Sequence, residues 1–212
     1  PVIIAPAMNS NMYSNPICQE NLKVLKEVGY TIIEPDVGPM ACGSIGPGRF
    51  PPAEIITEEV IRVLSRQDLA GTRILITAGP TCEHLDPVRY LTNPSSGKMG
   101  LALARAALRR GALVTLITGP VGTQELRGLR ELIRVETTEE MLKAVLDRCQ
   151  NQDVIIKAAA PMDFRPTETF SQKIKKGQGE LSIKLKTNID ILEEIGREKG
   201  DRILVGFAAE TE

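Results

Sequence analysis

The stretch TNPSSGKMG at residues 92–100 places three hydroxyls, two glycines and a lysine at the head of LALARAALRRG, which is patterned as a helix. Glycines let a backbone approach an anion, and a helix start offers unpaired N–H groups and the positive end of the macrodipole. Ser95, Ser96, Gly97, Lys98 and Met99 are therefore candidates for a phosphate cradle. The same residues also fit a plain helix start, with Ser95 or Ser96 as N-cap and Gly97 as a turn residue. Two familiar phosphate loops fail on spacing. A Walker A loop needs Ser or Thr after its lysine, where Met99 stands, and a GxGxxG turn should follow its strand directly, whereas a long loop separates RILITAGPT from this helix.

That loop contains DPVRYLTN. Arg89 offers a rigid fork for carboxylate or phosphate, and Asn93 offers both a donor and an acceptor. Taken singly, each also fits a surface or turn residue. The four cysteines, Cys18, Cys42, Cys82 and Cys149, form no CxxC pair and read as free thiols.

The elements that must carry these residues fall into two blocks. VIIAP reads as a buried strand, PICQENLKVLKEVG as a helix with Pro16 at its first position, and YTIIEP as a strand. DVGPMACGSIGPGRFPP, dense in Gly and Pro, reads as a loop over a site, and AEIITEEVIRVLSR as a helix with Ile56, Val60, Val63 and Leu64 on one face. QDLAGTR at 67–73 reads as a linker between a block at 1–66 and one at 74–212. The second block runs RILITAGPT as strand, KMGLALARAALRRG as helix with Gly100, Ala104 and Ala107 permitting close packing, and LVTLITGP as strand. TTEE follows as a capping box with Thr137 facing Glu140, then the helix MLKAVLDRC, the strand DVIIKAAAP, the alternating strand LSIKLKT, the helix IDILEEIGREKG and the strand RILVGFAA. Strands alternating with helices predict an α/β protein with a parallel, Rossmann-like sheet whose ligands lie at the carboxyl ends of the strands.

Composition narrows the partners. The chain has 212 residues, 42% hydrophobic and 25% charged, enough for a sizeable core, and a formal net charge of -1 gives no basic field for a nucleic acid. The apolar runs are too short for a membrane span. These features predict a cytoplasmic protein. Pro1 opens on an interior-type strand and the sequence stops just after another, so it reads as an internal piece of a longer protein.

The run ITAGPTCEHLDPVRYLTNPSSGKMG closely resembles the signature of the phosphopantothenoylcysteine synthetase family, with AAAPMDFRP, KIKK at 173–176, NIDIL at 188–192 and VGFAAETE at 205–212 fitting in order. Pro161 and Met162 stand where that family more often has valine and alanine. PAMNSNMY and ACGSIGPGRF resemble motifs of the flavin-dependent phosphopantothenoylcysteine decarboxylase family, with Tyr13 in place of tryptophan and Ser44 in place of aspartate. The resemblance implies a flavodoxin-like decarboxylase part followed by the synthetase domain, in coenzyme A biosynthesis. The first activity it implies is ligation of cysteine to 4'-phosphopantothenate through an acyl-cytidylate made from CTP with magnesium. The second is decarboxylation of phosphopantothenoylcysteine with FMN.

By resemblance, Ser95, Ser96, Gly97, Lys98, Met99 and Gly79 lie by the nucleotide, and Lys173 is a mobile cation that closes on the triphosphate. Asn93 handles the acyl-cytidylate and Arg89 holds substrate or intermediate. Asp163 and Asp190 serve ribose or magnesium, and Ala160 and Phe207 contact cytidine. In the first block, Asn9, Met8 and Met12 line the substrate site and Cys42 donates a proton, for which a thiol with an ordinary pKa of about 8.5 is suited. The family's catalytic histidine and much of its flavin cradle precede the residues present here, and His84 lies in the synthetase loop. Dimers of the synthetase and trimers of the decarboxylase are implied as well. CTP against ATP stays open, as do a nicotinamide-dependent reductase and a non-catalytic nucleotide-binding module.

Overall fold

The computed structural model describes residues 1–41, 43–122, 126–176 and 180–208, divided into two compact units between Arg66 and Gln67. The first contains β1 (Ile3–Ile4), α1 (Ser10–Tyr13), α2 (Pro16–Glu27), β2 (Thr31–Ile32), β3 (Asp36–Pro39), β4 (Ile45–Arg49) and α3 (Ala53–Leu64). β1 and β2 pair in parallel. The Gly- and Pro-rich segment expected as an irregular loop is instead the antiparallel hairpin β3–β4, with a register shift at Asp36/Val37. Its glycines leave room for neighbouring chain: a Cβ on Gly48, whose φ is +125°, would lie 2.1 Å from the carbonyl oxygen of Met8.

The second unit contains β5 (Arg73–Ala78), β6 (Cys82–His84), β7 (Tyr90–Thr92), α4 (Lys98–Arg109), β8 (Leu113–Thr118), β9 (Glu131–Arg134), α5 (Thr138–Cys149), β10 (Val154–Lys157), β11 (Phe164–Pro166), β12 (Leu185–Thr187), α6 (Ile191–Arg197) and β13 (Ile203–Gly206). Five strands form an all-parallel sheet in the order β13-β10-β5-β8-β9. Period-two alternation sorts the core to both faces. Ile74, Ile76 and Ala78 pack with Ala104 and Ala107 of α4, whereas Leu75, Ile117 and Ile155 pack with Met141 and Val145 of α5 and Ile191 and Ile195 of α6. Because β5 comes first yet lies centrally, the chain leaves it on one side for β8 and later returns on the other as β10. That order places a switch point, where α/β sheets bind ligands, at the carboxyl end of β5.

Residues 67–73, expected as a linker, are tied to this second unit. The Leu69 N–H donates to the Arg110 carbonyl at 3.0 Å, Asp68 pairs with Arg110 at 2.8 Å, and the Leu69 side chain packs against the α4 side of the core. LSIKLKT forms a strand only over Leu185–Thr187, antiparallel to Phe164–Pro166, and Glu131–Arg134 is an edge strand with no clear signal in the sequence. Among the described residues no helix is long and apolar enough to cross a membrane.

Candidate functional site

At the switch point the backbone is crowded and glycine-dependent. Gly97, at φ +70°, is the N-cap of α4, and no side chain caps this helix. The serine-cap alternative is thereby corrected: Ser95 Oγ accepts only a long 3.4 Å contact from the Gly97 N–H, outside the helix. A Cβ at Gly97 would lie 3.2 Å from the Gly79 nitrogen, and one at Gly79, itself at φ +76°, 2.7 Å from Val121 Cγ1. The first turn of α4 has no acidic residue, so its positive end is not neutralised. Ser95, Ser96 and Lys98 line a cavity of about 660 Å³ together with Leu101, Arg105 and Val121. Such a surface has the chemistry to accept an anion. Met99 is 45% exposed on the same turn.

The facing strand end is bound to it. The Ala160 N–H donates to the Gly79 carbonyl at 2.9 Å, and Asn93 Nδ2 donates to the carbonyls of Pro161 at 2.9 Å and Ala160 at 3.3 Å. Asn93, Ala160, Gly79 and Gly97, scattered through the sequence, are thus brought together. Arg89 belongs to a neighbouring cluster: its Nη2 donates to the Ile174 carbonyl at 2.7 Å, beside Lys173, whose side chain is exposed.

Asp163 and Asp190 sit at another edge of the same sheet end. The Asn188 N–H donates to the Asp163 carbonyl at 2.7 Å, and Asp190 caps α6, its Oδ1 accepting from Leu192 and Glu193. Phe207 follows β13 and is 48% exposed. A buried network that the sequence did not disclose underlies these residues. Glu83 Oε1 accepts from the Thr138 N–H at 3.0 Å and from Asn188 Nδ2 at 3.2 Å, while Thr81 Oγ1 accepts from the Met162 N–H at 2.9 Å. A carboxylate at the start of α5 is also favoured by the helix dipole. Its only sequence signal was an acidic residue at an inward position of CEH. No group of three or more His, Cys, Asp or Glu side chains that could hold a metal occurs among the described residues.

In the first unit, Met8 and Asn9 line a cavity of about 380 Å³ with Pro39, Met40, Ala41, Gly48, Arg49 and Phe50. Asn9 caps α1 through the Asn11 N–H at 2.8 Å, and Met8 Sδ accepts from Cys18 Sγ at 3.5 Å. Met12 is not part of this lining and is 61% exposed. Cys42 lies outside the described residues, though its chain neighbour Ala41 lines the cavity. Met8, Pro39, Met40 and Phe50 make much of this lining apolar.

A parallel α/β sheet with an uncapped, glycine-crowded helix start at its switch point places the second unit in the class of Rossmann-like α/β domains, a layout on which phosphate-bearing ligands commonly bind. Residues 69–212 match the DFP family model, described as the DNA/pantothenate metabolism flavoprotein C-terminal domain, and residues 1–65 match the Flavoprotein model. The chain belongs to the DNA/pantothenate metabolism flavoprotein C-terminal domain family. It is 46% identical over 215 residues to the coenzyme A biosynthesis bifunctional protein CoaBC of Bacillus subtilis (strain 168), covering 100% of this chain and 53% of that protein. It is 44% identical over 218 residues to a cysteine/cysteine sulfinic acid decarboxylase of an unknown prokaryotic organism, covering 100% of this chain and 61% of that one. The crystal structure of the C-terminal domain of a CoaBC protein superposes with a TM-score of 0.60 at 44% identity, over 69% of this chain and 68% of that one. The chain spans about half the length of the CoaBC relative.

Proposed function

We propose that the second unit activates the carboxylate of 4'-phosphopantothenate with CTP, releasing pyrophosphate, and that cysteine then displaces CMP from the acyl-cytidylate. The observation that carries this reading is the union of Asn93 with the Ala160–Pro161 strand end beside the anion cradle. A carboxylate attacking a triphosphate meets charge repulsion before it meets any need for a strong base, so positioning and neutralisation are the main requirements. Lys98 and the N–H groups at the start of α4 stabilise the phosphates, and Ser95 and Ser96 add hydroxyl donors. Lys173 supplies a further cation. Asn93, held on two carbonyls, presents its remaining amide capacity to the acyl-cytidylate, and Arg89 holds the substrate. Ala160 and Phe207 flank the base, and Asp163 and Asp190 serve the ribose. Magnesium fits here as a companion of the triphosphate oxygens, with at most one or two protein carboxylates, as is usual for this ion.

The first unit contributes to FMN-dependent decarboxylation of phosphopantothenoylcysteine, in which bound FMN supplies the electron acceptor. Met8, Pro39, Met40 and Phe50 form the apolar wall, Asn9 orients the substrate, and Cys42 returns a proton. Synthetase dimers and decarboxylase trimers complete the reading.

The test is a rapid quench of the full-length protein with CTP, magnesium and 4'-phosphopantothenate but no cysteine. An acyl-cytidylate that disappears when cysteine is added supports the reading. Absence of the intermediate from folded, nucleotide-bound protein refutes it, and carbon dioxide released from cysteine alone would favour a cysteine decarboxylase instead.

A further inference from the structure

Asp86 is completely buried, yet nothing in the ligation chemistry uses it. Its Oδ1 accepts from the N–H groups of Val88 at 2.8 Å and Arg89 at 2.9 Å, shaping the turn that carries Arg89. Its Oδ2 accepts from the N–H of Ile174 at 3.0 Å, across a long separation in sequence, and lies 3.7 Å from Arg89 Nε. Arg89 Nη2 closes the other side by donating to the Ile174 carbonyl at 2.7 Å. Both backbone polar groups of the residue after Lys173 are therefore held by one Asp–Arg pair. Two further bonds run alongside: the Phe170 N–H donates to the Leu85 carbonyl at 2.9 Å, and Thr169 Oγ1 to the His84 carbonyl at 3.3 Å. Burial alone would raise the Asp86 carboxyl, but the N–H groups of Ile174, Val88 and Arg89, with the Arg89 guanidinium, hold it below its ordinary value. It is thus an anion tailored to these donors.

We infer that Asp86 is a positioning residue that seats Lys173 for the nucleotide by latching the backbone of Ile174. This rests on the reading of Lys173 as a triphosphate cation. A side chain cannot be placed better than the backbone beneath it, and when only a fraction of molecules has the segment seated, apparent affinity falls by that fraction. Loosening the latch therefore raises KM for the nucleotide, while saturating nucleotide reseats the segment and leaves kcat nearly unchanged. Damage to the fold would instead lower kcat.

Two variants approach the same bond from opposite sides. Asp86→Asn keeps one acceptor oxygen for the Val88–Arg89 turn but turns an NH₂ group toward the Ile174 N–H. Ile174→Pro removes that N–H and leaves the turn intact. In the full-length protein each is expected to speed amide exchange of the peptide spanning 169–176 by about tenfold while α4 and α5 exchange as before. Each is also expected to raise KM for CTP in pyrophosphate release by about tenfold with kcat within about twofold, and the double variant to be no worse than either single one. Unchanged exchange in both variants overturns the latch. Faster exchange with unchanged KM overturns the claim that the latch serves Lys173, and absence of pyrophosphate release from the unsubstituted protein overturns the underlying reading instead.

Discussion

Asn93 and Pro161 are joined by a 2.9 Å hydrogen bond from the Asn93 side-chain amide to the Pro161 carbonyl, which fixes the loop after β7 on the end of β10. Ala160 accepts from the same nitrogen at 3.3 Å. Two segments that sequence places far apart thereby form one wall.

Asn93→Asp would set a carboxylate against those two carbonyl oxygens. Loss of the donor, with a charged group left unpaired, costs about 1–3 kcal/mol or more, corresponding to roughly a hundredfold loss of product formation. CTP binding, which is proposed to rest on the cradle, should persist within a few-fold. Normal ligation rates in this variant, measured alongside CTP binding by calorimetry, would contradict the role given to Asn93.

Gly100→Ala tests how tightly α4 sits on the sheet. A helical Ala gains about 1 kcal/mol of propensity over Gly. Here its Cβ would meet Ala78 Cβ at 2.5 Å and the Thr77 carbonyl oxygen at 2.8 Å, and backbone cannot swing away. Overpacking of about 1–3 kcal/mol should therefore win, giving a lower urea midpoint and weaker CTP binding.

Asp190 is expected to do two things with one carboxylate. Asp190→Ala removes the cap of α6 and should cost about 1 kcal/mol in chemical denaturation. Asp190→Asn keeps a capping oxygen and hence the stability, yet loses a charged acceptor for the ribose, so KM for CTP should rise about tenfold. An unchanged KM in the Asn variant would leave Asp190 as a cap alone.

Asp153 reports on the sheet in acid. Hydrogen bonds from the Arg73 side chain and backbone lower its pKa to about 2, below an unfolded value near 3.9. A depressed carboxyl contributes stability above the unfolded pKa and loses it as pH falls through the folded one. The advantage of the unsubstituted protein over Asp153→Asn should be small, since the pair is about half exposed, present at pH 6 and shrinking between about pH 4 and 2. Urea titrations at pH 6, 4 and 3 measure it.

Strand and helix order in the second unit was readable because the β5, β8 and β10 runs are apolar and the helices are punctuated by Gly111 and the Thr137 box. The β3–β4 hairpin was not, because its strand residues are largely Gly and Pro and it is held by backbone pairing that no side-chain period reports. The cradle residues were visible as a motif. Their partners were not: Glu83 with Asn188 and Asp86 with Ile174 are long-range bonds, and single residues carry no spacing signal.

The most direct measurement is pyrophosphate release by the full-length protein with 4'-phosphopantothenate and magnesium, comparing CTP with ATP and cysteine present with absent. Release that requires 4'-phosphopantothenate and prefers CTP is the predicted result. No release with either nucleotide, from folded protein that binds CTP, would contradict carboxylate activation and leave the cradle of Ser95–Lys98 as a nucleotide-binding module without chemistry.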